Sequence, residues 1–267
     1  PGERRYSSAL LCAHHLLVSH GLAVQALRAD VKAAVGIAPN YLPAHPASAS
    51  PADAAAARRL DGNFNRWFTD PLFGRGYPAD MVDFYGADMP RIDAADLALI
   101  AQPIDVLGVN YYERAIVAHD DAGGRLQTRS VRSDEHPRTQ DREIYPWGLY
   151  DVLAWLARDY GAKRLVVTEN GAAFPDQLTS DGRVHDTERV EFFRRHLEQI
   201  ARARQDGIPV EGYFAWSLMD NFEWSEGYTL RYGITHVDYA TQLRTPKDSA
   251  LFLRSIARKA TDARPWR

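Results

Sequence analysis

Apolar residues fall into two patterns along this chain. Four short apolar runs read as buried strands, at 34–38, 104–109, 164–168 and 210–216. The middle two read IDVLGVN and LVVTEN. Continuous rather than alternating runs predict parallel strands covered on both faces. Between the runs, apolar positions recur at three- and four-residue steps, which predicts helices. The first helix carries Leu10, Ala13, Leu17, Val24, Leu27 and Val31. A second starts at Pro51 and runs through Leu60 toward Trp67. Pro146 opens a third, with Leu149, Val152, Leu153 and Leu156 inward, and Gly161 ends it. Asp186 is the expected N-cap of a fourth, which runs to Gln205 before Gly207-Ile208-Pro209. Pro246 opens the last, from Leu251 to Ala260. Strands alternating with helices predict an α/β parallel architecture.

The strands start roughly 60 residues apart, where a minimal βα unit needs about 30. The excess is expected in Pro-, Gly- and aromatic-rich loops after the strands, at 70–76, 120–139, 170–186 and 217–235. In α/β folds the loops at strand C-termini carry the chemistry.

Composition narrows the class. A 45% hydrophobic and 25% charged chain is ordinary for a globular domain. The 32 Lys+Arg against 35 Asp+Glu give −3, which argues against a basic face for nucleic acid or a membrane surface. One cysteine, Cys12, excludes an internal disulfide. No apolar run is expected to approach the ~18 residues that cross a bilayer. The opening Pro1-Gly2-Glu3-Arg4-Arg5 has no Met, charged n-region or apolar h-region, and reads as a chain entered partway. With the single cysteine, this sets a cytoplasmic location as the expectation.

Candidate chemistry gathers at strand ends. Glu169 follows LVVT, and Asn110-Tyr111-Tyr112 follows DVLGV in the same position on the preceding run. Trp216, then Asn221-Phe222-Glu223-Trp224, follow the last run. A carboxylate can attack an anomeric carbon, and a phenol can orient it. An amide and a second carboxylate can hold sugar hydroxyls while indoles cover the apolar faces. Each residue also has an ordinary structural reading. A strand-end Glu can pair with an Arg, a strand-end Tyr can pack, and Trp216 alone reads as core. His14, His15 and His20 do not place three rings on one helical face, so they read as packing residues rather than metal ligands. No Gly-rich phosphate loop is present, and no cofactor or metal is expected.

Taken together, VTENG, LGVNYY and FAWSLMDNFEWSEGYTLRYGITHVDY, in this chain's arrangement, strongly resemble glycoside hydrolase family 1, the β-glucosidase family. The resemblance runs from AHHLLVSHGLAVQALR to FLRSIARKA. It implies a (β/α)8 TIM barrel and hydrolysis with retention at the anomeric carbon. It implies Glu169 as nucleophile with Tyr112 hydrogen-bonded to it, and Asn110 beside the sugar. Glu223 and Trp224 would bind hydroxyls of the non-reducing sugar, and Trp216 would form part of its platform. A family Trp on the leaving-group side is replaced by Arg142. Family members that act on 6-phosphosugars lack the Glu and carry a Ser and a Lys around this loop. Glu223 is present here and Tyr228-Thr229-Leu230 supplies no Lys, so a neutral sugar is expected.

The family's general acid/base is a Glu in an Asn-Glu-Pro motif after the fourth strand, and no Asn-Glu-Pro occurs in these residues. The resemblance begins just after that strand. A barrel of eight strands takes about 250 residues, whereas four strands are legible here. The expectation is therefore one partial domain over 1–267, the C-terminal half of the barrel. It would hold strands 5–8 and their helices, preceded by the helix after strand 4. Its partners would be a β-glycoside substrate and either the N-terminal half or a second copy, with no nucleic acid and no membrane. The rival expectation is a non-catalytic half-barrel that binds carbohydrate or only assembles with a partner half.

Overall fold

The computed structural model describes residues 2–262. Along the chain come α1 (Tyr6–Asp30), β1 (Gly36–Ile37), β2 (Asn40–Tyr41), β3 (Ala44–Pro46) and α2 (Pro51–Asp61). After a π-helical turn, Gly62–Arg66, follow α3 (Trp67–Leu72), α4 (Ala79–Tyr85), α5 (Ala94–Ile100), β4 (Val106–Tyr111), β5 (Ala115–His119) and β6 (Thr128–Ser130). The chain ends with α6 (Trp147–Asp159), β7 (Leu165–Glu169), α7 (Thr187–Gln205), β8 (Val210–Tyr213), β9 (Thr235–Val237), β10 (Arg244–Pro246) and α8 (Asp248–Asp262). Residue 1 and residues 263–267, the ends of the expected domain, lie outside the described residues.

The four apolar runs fill four positions of one parallel sheet. β1 and β2 both pair with β4 and are two pieces of the first position. β7 pairs with β4, and β8 with β7. One face is covered as expected. Leu107, Val109, Tyr111, Leu165, Val167 and Val210 pack with Leu149, Leu153 and Leu156 of α6 and with Ile200 and Ala203 of α7. The expectation of cover on both faces is corrected. Val106 and Val166, in the two continuous runs, are only half-buried, and beside them Phe214, just past β8, is 62% exposed. An uninterrupted apolar run shows that both faces are apolar; what covers the second face is a separate matter.

Two further sheets were not legible in the pattern: β3-β5-β6 and the β9-β10 pair. Their strands are three to five residues long, too short for a period to show. The segment 70–76 is also corrected. Asp70 to Leu72 belong to α3, and the rest joins α3 to α4 rather than following a strand.

In α1 the buried stripe is Leu10, His14, Leu17, His20, Gly21 and Val24, while Leu27 and Val31 are 45% and 43% exposed. The helix outlasts its contact surface. A Cβ at Gly21 would lie 2.3 Å from the Leu99 carbonyl oxygen, so glycine permits the close crossing of α1 and α5. His14 sits between the Tyr77 hydroxyl (2.9 Å) and Asp96 (3.2 Å), a packing role rather than a metal site. The expectation of no membrane-length apolar run is corrected as well. α1 is long and apolar enough to cross a membrane by length and composition, with a mean hydropathy of 1.4. A core helix of a globular protein with one buried face passes the same test.

Candidate active site

The sheet register aims the candidate nucleophile. β4 and β7 pair in step through Val109 and Val167, and then Asn110 pairs with Glu169. Thr168 is thus an extra residue, a bulge at the strand end, which re-aims the side chains beyond it. Its hydroxyl donates to the Asn110 amide oxygen at 2.6 Å and holds the two strand ends together. Beside this rung, the Tyr112 hydroxyl donates to Glu169 Oε2 at 2.7 Å. Burial, and then the Glu169 carboxylate, push the Tyr112 phenol well above its ordinary value. The phenol therefore stays protonated and remains a donor to the carboxylate.

The next strand end is locked on by backbone. The Trp216 amide donates to the Asn170 carbonyl at 2.9 Å. A Cβ on Gly171 would fall 1.8 Å from the Trp216 carbonyl oxygen, so only glycine allows this approach. The fully buried Asn170 donates to the Tyr111 carbonyl (2.8 Å) and accepts from the Tyr213 hydroxyl (2.9 Å), joining three strand ends.

Glu223 belongs to the same neighbourhood. Burial raises its pKa above the usual carboxylate value; Arg142 and a hydrogen bond from Trp216 pull it back, and Asp141 and Glu169 push it up. The structure thus brings together Glu169, Tyr112, Asn110, Trp216 and Glu223. Trp224 stands apart. It is 81% exposed on the rim of a cleft of about 400 Å³ that it shares with Asp141, Arg142, Glu223 and Glu226.

Sequence reasoning singled out Arg142 but missed its setting. Its guanidinium lies 4.8 Å over the Tyr112 ring and 5.8 Å over the Tyr232 ring. It pairs with Asp141 at 2.8 Å and reaches Glu113 at 4.0 Å. The buried Tyr232 donates to Asp141 at 2.6 Å and meets Tyr112 edge-on at 6.3 Å. Tyr232 lies inside the long C-terminal motif, the only signal that could have marked it. Also missed was a buried charge network that links the segments following β7 and β8, built from Asp176, Asp186, Arg189, Asp220 and Lys247. Asp186 occupies the N-cap position of α7 as expected, but its side chain makes no cap. It accepts from Arg189 at 2.6 Å and from Ser249 instead. Among the described residues, no group of three or more His, Cys, Asp or Glu is disposed to hold a metal ion.

A parallel α/β sheet with carboxylates, phenols and indoles at its strand C-termini defines the class: α/β, of the TIM-barrel type. Residues 1–261 match the model of glycosyl hydrolase family 1, and the chain belongs to that family. It is 37% identical over 262 residues to β-glucosidase A of Acetivibrio thermocellus, covering 96% of this chain and 58% of that one. It is 39% identical over 264 residues to a β-glucosidase of an Agrobacterium species, covering 96% and 57%. Among solved structures, the family 1 β-glucosidase of Thermotoga maritima superposes with a TM-score of 0.91 at 37% identity, over 97% of this chain and 58% of that one. The chain spans somewhat more than half the length of these relatives.

Proposed function

We propose that this chain is the nucleophile-bearing C-terminal half of a retaining β-glycosidase, a β-glucosidase acting on terminal β-linked neutral sugars. Residues 1–267 would form one partial domain with strands 5–8 of the barrel. The observation that carries the reading is the 2.7 Å bond from Tyr112 to Glu169 at the ends of adjacent parallel strands. Glu169 attacks the anomeric carbon; the new bond forms as the glycosidic bond breaks, and the departing oxygen takes a proton from a general acid. Water then cleaves the glycosyl-enzyme ester with net retention. Tyr112 holds the attacking carboxylate in line. Trp216, Glu223, Trp224 and Asn110 hold the sugar.

A retaining pair needs its carboxyl groups about 5–5.5 Å apart. Glu223 shares its neighbourhood with Trp216 and the sugar-side cleft, and we assign it to binding. The acid would come from residues beyond these 267, in an N-terminal half of the barrel. A second copy of this chain would supply another nucleophile but no acid. The non-catalytic reading rests on the lack of an Asn-Glu-Pro here. Against it stands the pairing of Tyr112 with Glu169, which binding alone would not require.

The test uses the full-length protein with nitrophenyl glycosides, and a 2-fluoro glycoside followed by peptide mass analysis. Glucoside turnover and a label on Glu169 are expected. A label elsewhere would refute the nucleophile assignment, and preference for a 6-phosphoglucoside would refute the substrate class.

A further inference from the structure

We propose that Lys247 is a positioning residue that sets the loop bearing Glu223 against the loop that follows Glu169. The proposal rests on the roles given above to Glu169 and Glu223. One group sits at the end of β7 and the other on the connection after β8, and the connection after each strand buries a carboxylate. Asp176 lies seven residues past Glu169, and Asp220 three residues before Glu223; their side chains are 2% and 0% exposed.

Asp220 closes the neck of its loop. One oxygen accepts from the Gly233 amide (3.0 Å), the other from Arg231 (2.6 Å) and the Val237 amide (3.3 Å). Asp176 is gripped on both oxygens by Arg189, at 2.9 and 2.7 Å. The Lys247 ammonium joins these two assemblies. It donates to Asp220 at 2.8 Å and to Asp176, and its side chain is fully buried. Its own amide donates to the Ile234 carbonyl at 2.9 Å, so its backbone is fixed to the second loop as well.

Three carboxylates (Asp176, Asp186, Asp220) face three cations (Arg189, Arg231, Lys247), so the network is neutral. A neutral buried network of this kind is replaceable by apolar residues with little loss of stability. What apolar residues cannot reproduce is directionality. An ammonium with a carboxylate from each loop fixes their separation, and Glu223 is three residues from one of those carboxylates.

Two measurements on the full-length protein test this. In the first, Lys247→Met is expected to raise KM for a nitrophenyl glucoside about tenfold, with a smaller effect on kcat. The same change made in a Glu223→Gln background is expected to cost nothing further, because the group being positioned is already gone. Unchanged KM, or a tenfold loss that persists in that background, overturns the proposal. If Lys247→Met fails to fold, the charge-balanced pair Lys247→Met with Asp220→Asn carries the test with the same expected outcomes. The second measurement does not depend on activity. Spin labels at Leu178→Cys and Tyr228→Cys, with Cys12→Ser, report the distance between the two loops. Lys247→Met is expected to shift or broaden that distance distribution, and Lys247→Arg to restore it. An unaltered distribution overturns the proposal even where no glycoside is turned over. An inactive parent protein, by contrast, defeats only the glycosidase reading.

Discussion

Glu169 and Tyr112 show what one hydrogen bond at a strand end can do. The bond joins a neutral phenol to a carboxylate, and hydrogen bonds to charged groups contribute about 1.5–3 kcal/mol. In the full-length protein, Tyr112→Phe is therefore expected to lower turnover by roughly 10- to 100-fold. Labelling at Glu169 should continue, more slowly, and the rate of inactivation by a 2-fluoro glycoside checks it. Residues of this kind were legible because they follow buried runs and stand in long motifs. Glu169, Asn110, Tyr112, Trp216 and Glu223 were named from those positions, and the fold brings them together. The partners of Arg142 were not legible. Asp141 and Arg142 lie about 90 residues from Tyr232 in sequence, and a single chain gives no sign that the segments meet. Buried charges such as Lys247 and Arg189 are hidden for the same reason: a lysine looks solvated until three-dimensional packing supplies its carboxylates.

At the scale of elements, helices with a wide apolar stripe were read well. α6 buries Leu149, Val152, Leu153 and Leu156 as expected, and Gly161 follows it with φ +66°. The short α4 and α5 escaped notice because seven residues hold only two turns of periodic signal. One element junction makes a pH-dependent prediction. His185, before α7, bridges Asp248 at 2.7 Å and Asp181 at 3.0 Å, tying the loop after β7 to the start of α8. Asp248 also accepts from Arg183 at 2.6 Å. Hydrogen bonds that the imidazole donates to Asp248 and then to Asp181 raise the His185 pKa. Thr179 and then His185 hold Asp181 down at about 2, and His185 and Arg183 depress Asp248. A raised histidine stabilises fully below its unfolded value of about 6.5, and loses that contribution as pH rises through its folded value. The depressed carboxylates contribute above about 3.9, and lose it as pH falls toward their folded values. The tie is thus strongest between about pH 4 and 6.5. His185→Gln is expected to lower Tm more at pH 5 than at pH 9, read by thermal melts at both. An equal shift at both values would show that the bridge carries no charge.

For the whole molecule, the sheet is the deciding object. Its order is β1/β2, β4, β7, β8, so the first and last positions pair on one side only among the described residues. Beside the β8 end, Phe214, Leu218 and Phe222 are 59–67% exposed. Unpaired edges and apolar surface favour association. The 267-residue chain, prepared alone, is expected to self-associate, and light scattering checks this. A stable monomer would contradict it. The parallel architecture was legible because continuous apolar runs announce it, whereas the half-open second face was not, since a strand's sequence does not specify what will lie against it. The order of the strands has one more consequence. Among the described residues, each main-sheet strand lies beside the one before it in sequence. A sheet assembled in this way divides cleanly at any link between a helix and the next strand. In genetic terms, a sheet ordered this way can gain or lose a strand with its helix at either edge without rethreading the strands between.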